Sequence, residues 1–265
     1  MKLTFLGTGT SFGVPVVGCD CAACTSLDPR DRRTRHGALV ELEEGRLLVD
    51  APPELRLQLL AANVRSVDAV WFTHIHADHI HGIDDLRVFT VRGKHDLPAY
   101  VATEYLDPMA EHFRYIFDDE AKAAPTSEHW SSRPRIRLHA FEAATPLEIL
   151  GRSFLPVEVP HGPTRVYGFR VGGLGYVTDG KSLPPEALEA FRGVDVLVLN
   201  ALWFGKPHPS HFNVEEAVEA AREVGAKRTF LTHLTHRVTH AQLLANLPEG
   251  VEPAYDGLTV HVNDD

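Results

Sequence analysis

Short apolar runs broken by glycine, proline and acidic turns fill the chain, and their spacing switches between the two-residue period of strands and the longer period of helices. Lys2–Leu6 is a strand pattern running into the flexible turn Gly7-Thr8-Gly9-Thr10. Ala38–Leu42 and Arg46–Val49 alternate around Glu44-Gly45 and predict a β-hairpin. Pro52-Pro53 opens a helix through Leu60, because proline suits a first turn and Leu55, Leu59 and Leu60 recur at helical spacing. Ala69–Phe72 predicts a buried strand that ends at His74. Between 84 and 150 the periodicity weakens to a helix near Thr103–Phe117, a proline- and serine-containing loop around 125–134 and a strand at Ile136–Phe141. Beyond it, Ser153–Val159, Val166–Val171, Gly175–Thr178 and Val194–Leu199 read as strands, with a helix at Pro184–Phe191. The last third predicts helices at Val214–Val224, closed by Gly225, and at Thr239–Leu247, with strands at Arg228–Leu231 and Leu258–Val262. No repeat, linker or low-complexity segment shows. One α/β domain over residues 1–265, two sheets inside helical layers, is the economical expectation.

Composition narrows the class. The hydrophobic fraction of 44% over 265 residues suits a globular core, and no stretch of 18 apolar residues occurs. Met1–Thr10 lacks the zones of a secretory signal, so a cytoplasmic protein with no membrane partner is expected. The formal net charge is −10, and the longest basic feature is the short cluster Arg30, Arg32, Arg33 and Arg35, best read as solvated charge. Extended nucleic acid is therefore a poor partner, although bound divalent cations would reverse the local field and draw in an anion.

All three cysteines, Cys19, Cys21 and Cys24, lie within six residues, an odd number with no distant partner for a disulfide framework. The spacing fits a metal clip, with small buried thiols as the alternative; a tetrahedral structural zinc would need a fourth ligand from elsewhere.

The 16 histidines gather in a few short strings. The densest is Thr73-His74-Ile75-His76-Ala77-Asp78-His79, an H-x-H-x-D-H pattern at the end of an apolar strand. In extended backbone His74 and His76 point the same way and can grip one cation, whereas a helical turn afterwards swings Asp78 and His79 toward a second. Two adjacent cations suit hydrolysis. The competing account is a histidine-rich polar loop.

The pattern resembles the signature of the metallo-β-lactamase superfamily, which implies an α/β fold of four layers, an αββα sandwich. The resemblance extends over nearly the whole chain. It implies that His161, in Val159-Pro160-His161-Gly162, completes the first metal site; that Asp179, in Thr178-Asp179-Gly180, bridges both metals; and that His233 completes the second. Taken singly, these are also compatible with a loop histidine, a turn aspartate and a capping histidine. Asp50 looks like the family's buried aspartate that orients a histidine ligand, or else a turn aspartate at a strand end.

The cysteine loop with His236 is similar to the branch containing the cyclic-phosphate phosphodiesterases of phosphonate degradation, where a C-x-C-x-x-C loop and a late histidine hold a separate zinc. Phe5-Leu6-Gly7-Thr8-Gly9-Thr10-Ser11, Gly82-Ile83-Asp84-Asp85-Leu86-Arg87 and Ser210-His211-Phe212-Asn213 are further matches. By that resemblance His211 is a general acid or transition-state stabiliser; alternatively it caps the following helix. One departure is His36-Gly37, where relatives commonly carry small hydroxyl residues, leaving open whether Arg35 or His36 holds a phosphate oxygen. His81, His208 and His240 have no assigned role.

The resemblance implies a dinuclear hydrolase with Asp78, Asp179 and His211 in catalysis, a hydroxide bridging two zinc, manganese or iron ions, one structural zinc, a small anionic phosphodiester as substrate and a possible homodimer. His76 in place of glutamate argues against diiron redox relatives, and Asp179 in place of cysteine against many true β-lactamases. The alternatives are a thioesterase or lactonase, a transfer-RNA processing nuclease, an oxidoreductase resembling the pyrroloquinoline quinone branch, and a metal-binding module without turnover.

Overall fold

Alternation of buried apolar residues with turn residues produces 14 strands among the described residues, in two seven-stranded sheets. The computed structural model describes residues 1–93, 95–118 and 133–263, so most of the loop expected at 125–134 lies outside the described residues. The first sheet contains β1 (Lys2–Gly7), β2 (Gly37–Glu41), β3 (Arg46–Val49), β4 (Ala69–Trp71), β5 (Leu97–Ala102) and β6 (Ile136–Phe141), with the last strand, β14 (Thr259–His261), beside β1. The second contains β7 (Leu147–Ile149), β8 (Arg152–His161), β9 (Thr164–Val171), β10 (Leu174–Tyr176), β11 (Val196–Asn200), β12 (Arg228–Thr232) and β13 (Val251–Pro253).

Outward from β14 in one sheet and from β7 in the other, three antiparallel pairings are followed by three parallel ones. The sequence shows no repeat, yet the backbone has one at the level of strand sense. β3 and β10 occupy corresponding places, each where antiparallel pairing gives way to parallel.

Trp71, fully buried, joins the sheets: it stacks on Phe141 at 4.3 Å, meets Phe169 edge-on at 5.2 Å, and donates its indole N–H to the Tyr167 carbonyl at 2.9 Å. Phe5 and Phe230 meet across the same core at 5.9 Å. Helices α1 (Leu55–Ala61), α2 (Ala77–Ile80), α3 (Arg87–Gly93), α4 (Thr103–His112) and α5 (Arg114–Phe117) belong to the first half. In the second half α6 (Pro185–Phe191), α7 (Val214–Val224) and α8 (His240–Asn246) contribute to a second apolar cluster with β11 and β12. The result is the expected αββα sandwich.

The helix expected at Thr103–Phe117 is broken at Phe113, whose φ of −115° and ψ of 48° leave helical space. β5 eluded the pattern because Pro98 lies inside it, and proline argues against a central strand. β7 and β13, at three residues each, are too short to show a period. None of the described helices is long and apolar enough to cross a membrane.

Candidate metal centre

Asp50 after β3 (φ 62°), Asp179 after β10 (φ 59°) and His233 after β12 (φ 54°) all take left-handed backbone, a sparsely populated conformation for residues with a side chain. His161 is the last residue of β8, and His74 follows β4. Side chains about a hundred residues apart therefore converge between the sheets.

Two donor groups result. In the first, His76 Nδ1 lies 3.0 Å from His74 Nε2 and 3.3 Å from His161 Nε2. In the second, His79 Nε2 lies 3.5 Å from both Asp78 Oδ2 and Asp179 Oδ1, and His233 Nδ1 is 3.3 Å from Asp179 Oδ1. Asp179 faces both groups, its Oδ2 4.0 Å from His74 Nε2. The α2 turn after His76 carries Asp78 and His79 to the Asp179 side of His74, with the His79 ring centroid 4.2 Å from that of His74, and its placement is fixed by backbone: Ala51 N donates to His79 O, and Gly82 N to Ala51 O, each at 2.7 Å.

Hydrogen bonds behind the imidazoles set their tautomers. His79 Nδ1 donates to Asp50 Oδ2 at 2.7 Å, and His161 Nδ1 to the Ser210 carbonyl at 3.0 Å. Thr73 donates its backbone N–H and its hydroxyl to Asp50, and its oxygen accepts from His74 Nδ1 at 3.0 Å. Each arrangement turns Nε2 inward, where it offers a lone pair once the ring is neutral. Burial holds the His74 pKa well below its ordinary value and that of His233 at about 4. His79 is opposite: despite burial, Asp179, Asp50 and Asp78 raise it well above ordinary. Asp179, despite burial, is held well below the usual carboxylate range by His233 and His79.

Whether these residues suit cations is testable on charge and valence. Three carboxylates, two of them fully buried, face one imidazole of raised pKa, and such an excess of negative charge is costly away from water. His79 Nε2 and His233 Nδ1 are buried without a hydrogen-bond partner. Two divalent cations would meet both requirements, and the nitrogen and oxygen donors admit zinc, manganese or iron.

A separate group unites Cys19, Cys21, Cys24 and His236: His236 Nδ1 lies 3.2 Å from Cys19 Sγ and 3.4 Å from Cys21 Sγ. Backbone and thiol hydrogen bonds lower the Cys21 pKa to about 6 despite some desolvation, whereas burial raises that of Cys24 to about 11. Three thiols and one imidazole are a four-donor set of the kind that holds tetrahedral zinc.

The family described as the beta-lactamase superfamily domain matches residues 45–234, from the start of β3 to just past His233. The chain belongs to that superfamily. Among solved structures, a diphosphatase from the PhnP family superposes on this superfamily member with a TM-score of 0.88 and 37% identity, over 99% of this chain and 98% of that one. An octanoyltransferase of Porphyromonas gingivalis is 33% identical over 266 residues, covering 100% of this chain and 52% of that protein, so this chain spans about half the length of that relative. A ribonuclease Z of Myxococcus xanthus is 26% identical over 320 residues, covering 99% of this chain and 98% of the nuclease.

Within this superfamily fold His211 is partly exposed and stacks on His233 at 5.2 Å, with Nε2 3.3 Å from Asp179 Oδ2. It does not cap α7; Asn213 does, in a capping box with Glu216. His208, with no role assigned from sequence, lies 3.3 Å from His211, Nδ1 to Nδ1. His81 stands against His112 and Phe113, and His240 is buried beside Tyr255, both apart from the donor groups.

The arginine cluster is less solvated than expected. Arg33 is buried, paired with Asp31 at 3.1 Å and donating to the Thr235 and Val238 carbonyls. Arg35 pairs with Glu54 and donates to the Ser11 carbonyl, so its charge is already engaged. Thr73, Tyr176 and Ser210 have no role legible in the sequence, because their partners Asp50, His36 and His161 lie 23, 140 and 49 residues away, where no local spacing signals them.

Proposed function

We propose that the chain is a metal-dependent hydrolase that holds two divalent cations, one by His74, His76 and His161, the other by Asp78, His79 and His233, with Asp179 shared, and cleaves small cyclic phosphates or related phosphodiesters. The observation that carries this reading is the convergence of those seven side chains from both sheets around Asp179, with His211 beside it. Bound there, divalent cations supply charge stabilisation to a phosphoryl group and activate water. The chain's own residues do the rest. Asp50, Thr73 and the Ser210 carbonyl keep the ligand imidazoles turned inward. His211 keeps a proton at Nε2, donated to Asp179 Oδ2 in this structure, and can pass it to a departing oxygen brought within reach. The 37% identity to a PhnP-family diphosphatase supports an anionic phosphorus substrate.

Transfer-RNA processing is the second reading, favoured by ribonuclease Z relatives that align over nearly their whole length. Against it stand the net charge of −10 and an alignment of 320 positions, which leaves stretches of the nuclease without a counterpart in these 265 residues. The octanoyltransferase relative makes acyl esters the third class to assay.

The deciding experiment is a panel of cyclic and linear phosphodiesters, a precursor transfer RNA, thioesters and lactones, assayed with zinc and with manganese. We expect the small phosphodiesters to be turned over fastest and to yield phosphomonoesters. Faster cleavage of the RNA or of an acyl substrate would overturn the reading.

A further inference from the structure

His36 lies out of reach of solvent beside the two imidazoles of the second donor group, its ring centroid 5.6 Å from His79 and 6.2 Å from His233. Both of its nitrogens are engaged. Tyr176 Oη lies 2.7 Å from His36 Nε2 and Thr232 Oγ1 lies 3.3 Å from Nδ1, and since a hydroxyl both donates and accepts, the ring nitrogen that lacks the proton meets a hydroxyl donor in either tautomer. With no lone pair left, His36 is not itself a ligand.

Its partners matter for where they sit. Thr232 directly precedes His233, Tyr176 ends β10 three residues before Asp179, and His36 itself immediately precedes β2. We infer that His36 is a positioning residue for the second cation: by joining these three points of the backbone beneath the site, it fixes the angle at which His79, His233 and Asp179 present their donor atoms. A residue that merely filled space would need no pair of hydroxyls aimed at its two nitrogens. Second-layer contacts of this kind commonly govern metal affinity without touching the metal. The inference rests on the two-cation reading above.

The test is stepwise cobalt(II) titration of metal-depleted full-length protein whose cysteine site has been reloaded with zinc, followed by absorbance and metal analysis. His36→Phe keeps a ring but loses both hydrogen bonds. It should weaken one of the two cobalt equivalents by about ten- to a hundredfold and leave the other, and the cysteine-held zinc, within twofold. In a His79→Ala background, which takes a central ligand from the second donor group, the same substitution should change the remaining cobalt equivalent no further. Tyr176→Phe, which keeps the imidazole and removes only its hydroxyl partner, should weaken the same equivalent less, and it decides the matter if His36→Phe does not fold. Unaltered binding of both ions, or equal loosening of both together with the zinc, would overturn the inference. A parent protein that takes up only one cobalt would remove the two-cation reading along with it; two equivalents insensitive to His36 and Tyr176 would overturn this inference alone.

Discussion

Asp179 faces both donor groups of the candidate site, with His211 and His233 at 3.3 Å and His79 at 3.5 Å from its oxygens. Asp179→Asn keeps the shape and removes the charge, so it should lower kcat/KM by at least about a hundredfold with an unchanged circular dichroism spectrum and the loss of one bound ion. Parent-like activity in that variant would exclude the shared role. Protons act at this scale too. In the metal-free protein burial keeps His36, His74 and His233 neutral below their ordinary pKa of 6.5, His233 down to about 4. The unfolded chain therefore takes up protons that the folded chain refuses, and this stability, present above pH 6.5, is lost as pH falls toward 4; His233 alone accounts for about 3 kcal/mol. His79 and Asp50 act in the opposite sense: the folded chain holds their protons at higher pH than the unfolded chain does, so each adds stability as pH falls and offsets part of the loss. Calorimetry of metal-free protein should give a lower Tm at pH 5 than at pH 7.5.

At the scale of elements, the decisive contact is the seating of α2 on residues 51 and 52. A Cβ on Gly82 would lie 2.0 Å from the Pro52 carbonyl oxygen. Gly82→Ala should therefore push α2 off its seat, destabilise the fold by about 1–3 kcal/mol in urea titration, and reduce bound metal, because Asp78 and His79 ride on that turn. This scale also shows what the sequence could reveal. The H-x-H-x-D-H string is readable because its four donors are local: one strand end and one helical turn suffice to place them. His161, Asp179 and His233 are single residues whose meeting depends on how the sheets pack, so only a family resemblance singled them out. His36 was noticed only as a departure, since its partners Tyr176 and Thr232 come from strands β10 and β12, far along the chain. β5 was hidden by its proline, and the break at Phe113 by an unbroken helical pattern.

Across the whole molecule the cysteine group ties the loop after β1 to the segment after β12. Leu234 N donates to the Thr8 carbonyl at 2.8 Å, and Arg33 reaches the carbonyls of Thr235 and Val238. Cys21→Ser should release one zinc per chain and lower Tm measurably, because structural zinc contributes binding free energy to folding; unchanged zinc content would reject the clip. Within the sandwich, the repeat of strand sense puts Asp50 and Asp179 just beyond corresponding strands, both left-handed, one behind a ligand and one among the ligands. The remaining donors divide the same way: the 74–79 string leaves one sheet, and His161 and His233 leave the other. Neither half of the molecule possesses a complete set. An ion that can be captured only once the halves have met lends its own binding free energy to their seam, so metal starvation should open the boundary between the halves before it unravels either one.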